Sequence, residues 1–294
     1  VYATYKSDIK SVVLLEKLIK TRIYITLHHL MPYNAALECD YCIKLINTNN
    51  KIINKDILIN TILAQKAHAL LNSGKNLEGY IILNEIQSKF LSNSRNIENE
   101  ALFDIYDRLL AIYIKFNIFD VAKNYAELEM KVANDDSLRM IAHRTHSKLY
   151  YLQDYKKAKY HVNEVNNILK VYPTIRIELN NKIYEYIIEI TYNKIDDYFL
   201  AKKDLENILS EAKTHQLNRT EIQAETVLAA LMIKYGEKDD IKISLNHIEF
   251  AINNSITYGI NSYLWQLYNL KAIIQTKLGI KLNDILHTFQ TVLD

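Results

Sequence analysis

A chain of 294 residues that is 49% hydrophobic and 24% charged has the balance of a folded protein, long enough for two average domains or one elongated array. With only 5 Gly and 2 Pro it lacks the turn residues a β-rich fold requires, and it carries no Gly-x-x-x-x-Gly-Lys, Gly-x-Gly-x-x-Gly or Gly-x-Ser-x-Gly loop. Its 36 basic and 34 acidic side chains give a net charge of +2, and the densest basic groups, Lys156-Lys157-Lys159 and Lys202-Lys203, are short solvated faces, which argues against direct nucleic-acid binding.

Apolar residues recur at helical spacing almost throughout the chain. Ala35 to Ile46 reads as a helix with Cys39 and Cys42 on or near its buried stripe. That Cys-x-x-Cys, with His28 and His29 upstream, is half of a zinc set, because neighbours on a helix point to different faces. The cysteines are read as structural, no metal is assigned, and two Cys in so long a chain favour a reducing, cytoplasmic compartment. Further stripes run through Leu102, Tyr106, Leu109, Leu110 and Tyr113, then Leu138, Ile141, Ala142, Thr145, Leu149 and Leu152, then Leu205, Ile208, Leu209 and Ala212. The longest apolar run, Leu228 to Ile233, falls far short of the roughly 20 residues that cross a bilayer, so no membrane partner is expected.

Polar breaks at Asn47 to Asn50, Asn72 to Asn76, Ser92 to Asn96, Asn134 to Ser137, Pro173-Thr174 and Gly236 to Asp240 divide these stripes into helices of roughly 14 to 20 residues. Ser137 after Asp135-Asp136, Thr174 after Pro173, and Thr220 with Gln223 as a capping box are the start signals. The acidic pairs Asp135-Asp136, Asp196-Asp197 and Asp239-Asp240 fall at turns, where helix N-termini favour negative charge, so capping explains them without catalysis. His143 and His146 lie one turn apart, with His161 on the partner helix. They flank the stripe through Ala142, Thr145 and Leu149, and are expected to face solvent or a groove. No Pro-, Gly- or Ser-rich linker interrupts residues 1–294, which are read as a single continuous helical domain. Val1 stands where an initiator Met would be, and a fragment lacking an N-terminal part is the expectation.

An aromatic, two residues and Ala recur as Tyr33/Ala36, Phe119/Ala122, Tyr155/Ala158 and Tyr198/Ala201, with Gly79 in the place of an intervening copy. A small residue belongs where the two helices of a hairpin approach closest. These segments, Gln153-Asp154-Tyr155-Lys156-Lys157-Ala158 above all, resemble the second helix of tetratricopeptide repeats, and Pro173 lies near that family's repeat-terminal Pro. Trp265 is the candidate for its Trp, in the last hairpin. Steps near 43 residues exceed the family's spacing and imply longer helices. The resemblance implies an all-α fold, a right-handed superhelix of about seven stacked helical hairpins (a TPR-like α-solenoid), whose first helices line a concave groove.

It further implies a protein- or peptide-binding module without catalytic residues or cofactors, the ligand-sensing or interaction domain of a larger regulatory protein. The alternative is a structural scaffold subunit of a multiprotein assembly. Groove candidates on first helices are Asp104, Asp107, Arg139, His143, Tyr150, Asn180, Tyr186 and Asn269. The 22 Tyr suit a fold with a large surface and a thin core, since the ring can be buried while the hydroxyl stays wet.

Overall fold

The computed structural model describes residues 32–49, 52, 55–92 and 99–293. Among them the fold is all-α, with 13 α-helices, one short 3₁₀ turn and no strand. His28, His29 and the break beyond Ser92 lie outside the described residues. The chain forms two compact units, divided between Asn134 and Asp135.

In the first unit lie α1 (Pro32–Thr48), α2 (Lys55–Asn72), α3 (Asn76–Ser92), α4 (Asn99–Lys115) and α5 (Phe119–Val132). Each packs on its chain neighbour, and α2 also touches α4. Cys39, Cys42, Ile46, Ile52, Leu58 and Ile62 form one apolar cluster between α1 and α2. Both cysteines are free and buried, and burial, with Cys42 nearby, lifts the Cys39 thiol to about 12. A thiol so held is a packing group and not a nucleophile.

The second unit comprises α6 (Asp136–Tyr150), α7 (Tyr155–Leu169), α8 (Ile175–Thr191), α9 (Tyr198–Thr214), α10 (Asn218–Tyr235), α11 (Lys238–Thr257), α12 (Leu264–Lys277) and α13 (Leu282–Leu293), with a 3₁₀ turn at Asn261–Tyr263 before α12. Consecutive helices pack together, and the first helices of successive hairpins also touch: α6 with α8, α8 with α10, α10 with α12. The apolar run Leu228 to Ile233 sits in α10, where Leu228, Leu231 and Met232 join the core shared with α9 while Ala229 and Ile233 join the core shared with α11. A helix sandwiched on two sides needs apolar residues on both.

The small residues mark the second helices as expected. Ala36, Ala122, Ala158 and Ala201 are all buried. At Gly79 a Cβ would lie 2.9 Å from the Ala67 carbonyl oxygen and 3.0 Å from Leu71 Cγ, so α2 and α3 approach too closely there for any side chain. Ser244 of α11, 43 residues beyond Ala201 and fully buried, holds the same place in a further step that the aromatic-Ala pattern does not reveal.

Helix ends explain how so few Gly suffice. Six helices close in the same way, with two bonds from the next residues back into the last turn and a left-handed residue at the junction. That residue is Gly74, Gly259 or Gly279 in three of them and Asn117, Asn193 or Gln216 in the others. At the end of α8, for example, Lys194 N–H donates to the Glu189 carbonyl (2.8 Å) and Asn193 N–H to that of Ile190 (3.3 Å). At N-termini, Asp135, Asp154 and Asp197 accept from the Leu138, Lys157 and Leu200 amides at 2.8, 3.1 and 3.0 Å. Asp240 accepts from the Glu237 amide at 3.2 Å.

Three sequence expectations are corrected. Ser137 lies inside α6, which Asp135 caps. Thr220 and Gln223 form no capping box, because α10 begins at Asn218 after an uncapped Leu217 and both residues are inside the helix. Leu152 lies past the end of α6 and is 53% exposed.

Candidate binding face

The eight groove candidates are held by different neighbours. In the first unit, Asp104 of α4 accepts from Gln65 Nε2 of α2 at 3.5 Å, and buried Asp107 pairs with Arg108 at 2.9 Å. In the second, Arg139 is exposed and pairs with Asp136 of its own helix, and Asn269 is exposed. Asn180 is buried between first helices and accepts from Thr220 Oγ1 at 3.1 Å. The Tyr186 hydroxyl donates to Asp204 of α9 at 2.8 Å. His143 and Tyr150 meet at one place, around His161 of α7.

That meeting point corrects the expectation that the histidines face solvent. His143, His146 and His161 are only 8, 6 and 9% exposed. The Nδ1 atoms of His143 and His161 lie 2.8 Å apart, so one ring donates and the other accepts, which requires opposite tautomers and a proton on only one of the facing nitrogens. Tyr150 stacks parallel on His161 with ring centres 5.6 Å apart, and His146 and Tyr160 meet it edge-on. Burial, then His146, His143 and Lys157, hold the His161 pKa down to about 3. Burial also lowers that of His143, with Glu164 opposing and Arg139 reinforcing. Neutral, ring-stacked imidazoles fill the seam of this hairpin. Among the described residues no three His, Cys, Asp or Glu side chains come together as a set that could hold a metal ion.

A different constellation forms where the first helices α6, α8, α10 and the start of α12 meet. Arg219 of α10 donates through Nη2 to the Tyr263 hydroxyl at 2.7 Å and lies over that ring, 5.5 Å from its centre. Gln223, one turn along α10, donates to the same hydroxyl at 3.1 Å. Lys148 of α6 lies 5.0 Å from the ring centre of Tyr184 on α8. Burial lifts the Tyr184 phenol well above the ordinary tyrosine range, Tyr263 adds to the lift, and Arg219 and Arg144 act against it. For Arg219, burial disfavours the charge, and the Tyr263 and Tyr184 oxygens outweigh it and raise the pKa. Tyr184, Arg219 and Tyr263 each keep part of their surface open to solvent. They form one half-buried polar cluster.

The carboxylates of these first helices turn elsewhere. Glu185 and Glu189 of α8 both accept from Lys159 of α7, Glu189 at 2.8 Å. Glu225 of α10 is held by Lys213 of α9 at 3.3 Å and by His247 of α11. Glu221 lies 4.0 Å from the same lysine, and burial, opposed by Lys213, raises its pKa. Around the Arg219–Tyr263 bond stand Arg144, Lys148, Tyr184 and Gln223.

None of these six residues is among the groove candidates that the sequence suggests. The one signal available was spacing: Arg144 with Lys148 and Arg219 with Gln223 are pairs four apart, and such pairs share a helix face. No protein-family model matches the chain, and no curated protein matches it.

Proposed function

We propose that the chain is a tetratricopeptide-like helical-repeat module that binds a peptide or protein, as the interaction or ligand-sensing part of a larger regulatory protein. The observation that carries this reading is the cluster of Arg144, Tyr184, Arg219, Gln223 and Tyr263, to which three helices and the lead-in to a fourth each contribute a side chain. Rows of first helices are the surfaces on which stacked hairpins display residues from several repeats at once. An extended chain laid across such a row would meet tyrosine rings for packing and amide, hydroxyl and guanidinium donors for its carbonyls.

Selection of a displayed random-peptide library on the full chain tests this. Sequences enriched on the unaltered protein and lost on a folded Tyr184→Ala variant are the expected result. Failure of any peptide to enrich, or equal enrichment on the variant, overturns it.

A further inference from the structure

We infer that the outer flank of α12 is a two-fold self-association surface, on which a second copy of this chain lays its own α12 antiparallel. The second unit repeats at an exact step. Asn193, Gly236 and Gly279 stand just past the ends of α8, α10 and α12, at intervals of 43 residues. At the same step, Leu179, Ile183 and Ile187 of α8 correspond to Ile222, Thr226 and Ala230 of α10, and to Trp265, Asn269 and Ile273 of α12. In α8 this stripe packs into the core shared with α9 and α10. In α10, Ile222 is buried in the core shared with α11 and α12, and Thr226 and Ala230 are half-buried. In α12 all three are exposed, Trp265 at 57% and Ile273 at 42%. A place used for helix contact in two hairpins thus faces solvent in the third.

The chemistry of that flank fits a copy of itself. Besides Trp265, Asn269 and Ile273, the exposed residues of α12 are Gln266, Thr276 and Lys277, so one charge stands among them, in the last turn. The other lysine of the helix, Lys271, turns away to Glu249 of α11 at 2.8 Å. Centres of protein interfaces are likewise depleted in charge and enriched in aromatic residues. Trp265 lies four residues before Asn269 and Ile273 four after it, which sets an apolar group one turn to either side of a carboxamide. In a two-fold contact the same patch serves both copies. Antiparallel α12 helices therefore set Trp265 on the partner's Ile273, and Asn269 on the partner's Asn269. A carboxamide carries both donor and acceptor and pairs with its own copy, where a carboxylate or an ammonium would repel it. At 14 residues the helix is about 21 Å long, which gives a small interface and a dimerisation midpoint on the order of 10 µM.

Trp265 is the chain's single tryptophan, so its emission reports on this flank alone. The test is sedimentation velocity of the full chain from about 1 µM to about 1 mM, with an emission spectrum at each concentration. The expected result is a passage from monomer to dimer, with emission moving to shorter wavelength as the indole leaves water. Ile273→Asp should raise the midpoint at least about tenfold. Asn269→Asp and Asn269→Lys should each do the same, because each sets two like charges across the axis, and an equimolar mixture of the two should associate again as a mixed dimer. Both positions are exposed, and far-UV circular dichroism of the variants should match that of the native chain. A chain that stays monomeric throughout overturns the inference. So does a dimer whose Trp265 emission stays unchanged, or one that persists undiminished in Ile273→Asp. Growth past the dimer into longer assemblies means head-to-tail stacking and overturns it too, as does a mixture of the two charge variants that stays monomeric.

Discussion

Tyr125 and His161 hold the same step of two successive hairpins, three residues beyond Ala122 and Ala158, and the two hairpins bury different chemistry there. In α4–α5, Tyr125 stacks on Tyr113 with ring centres 5.4 Å apart and meets Tyr106 at 6.2 Å. Burial, with those phenols, lifts its pKa to about 12, so nothing in that seam gains charge in acid. In α6–α7 the stack is Tyr150 on His161, and His161 bonds His143. The rows of first helices differ in parallel. Between α2 and α4, polar groups close on one another: Gln65 on Asp104, His68 on Arg108, and Asp107 on Arg108. Between α8, α10 and the start of α12, Arg219 closes on tyrosines. One hairpin framework thus supports a row closed by a carboxylate–guanidinium pair in one unit and a row closed by an arginine on tyrosine in the other, and the difference lies in side chains that the packing leaves free to vary.

Acid should separate the two hairpins most strongly. The folded pKa of His161, about 3, lies below its ordinary value near 6.5, so the unfolded chain takes up the proton first. The stability this group contributes is complete above about pH 6.5 and is lost as pH falls toward the folded value. The loss is about 3 kcal/mol between pH 7 and pH 4. Protonation sets His161 against His146, His143 and Lys157 at once, with Arg139 and Glu164 facing His143 and the phenols Tyr150 and Tyr160 against the rings. Urea unfolding across that range should show a steep acid limb for the native chain and a shallower one for His161→Phe. An identical limb in the variant would move the acid sensitivity elsewhere.

Next in size is Asp107→Ala, which removes the carboxylate from Arg108 in the first-helix row of the first unit. Arg108 keeps some solvent, so the cost is about 2 kcal/mol, short of the value for a fully buried pair. Thermal unfolding measures it, and a change under about 0.5 kcal/mol would mean that the row is not closed by charge. Gly79→Ala is smaller, about 1 kcal/mol net. The crowding against the Ala67 carbonyl outweighs the better helix propensity of Ala. Smallest is the stability effect of Arg219→Gln, below about 0.5 kcal/mol, since a glutamine still bonds neutral partners. A large loss of stability in that variant would mark Arg219 as a structural strut and blur the contrast between the rows.

Helices and their boundaries were legible because apolar spacing and small residues at the hairpin contact follow from packing alone. Ala122, Ala158 and Ala201 fell into step, and Gly79 could be placed by interpolation. Ser244 escaped because Ile241 stands where the other copies have an aromatic. The binding face was not legible, for a geometric reason. Adjacent residues on a helix differ by about 100°, so a reading one or two positions out of phase lands on another neighbour. The groove candidate His143 faces α7, while Arg144 beside it acts on Tyr184. The groove candidate Tyr186 bonds α9, while Tyr184 meets Lys148 of the neighbouring first helix. Periodicity locates the core-facing stripe well, but it does not distinguish which flank of that stripe meets the partner helix and which the next first helix.

The left-handed residues that close the helices have a consequence for the chain before it folds. Asn117, Asn193 and Gln216 sit at φ values of 57, 56 and 53°, where a side chain is mildly strained and glycine would not be. Glycine would also add disorder to the unfolded chain at each turn. With 5 Gly in 294 residues, the polypeptide accepts a little strain in the finished turns and begins folding from a stiffer, less numerous set of conformations. Part of the stability of this stack therefore resides in the state it leaves behind.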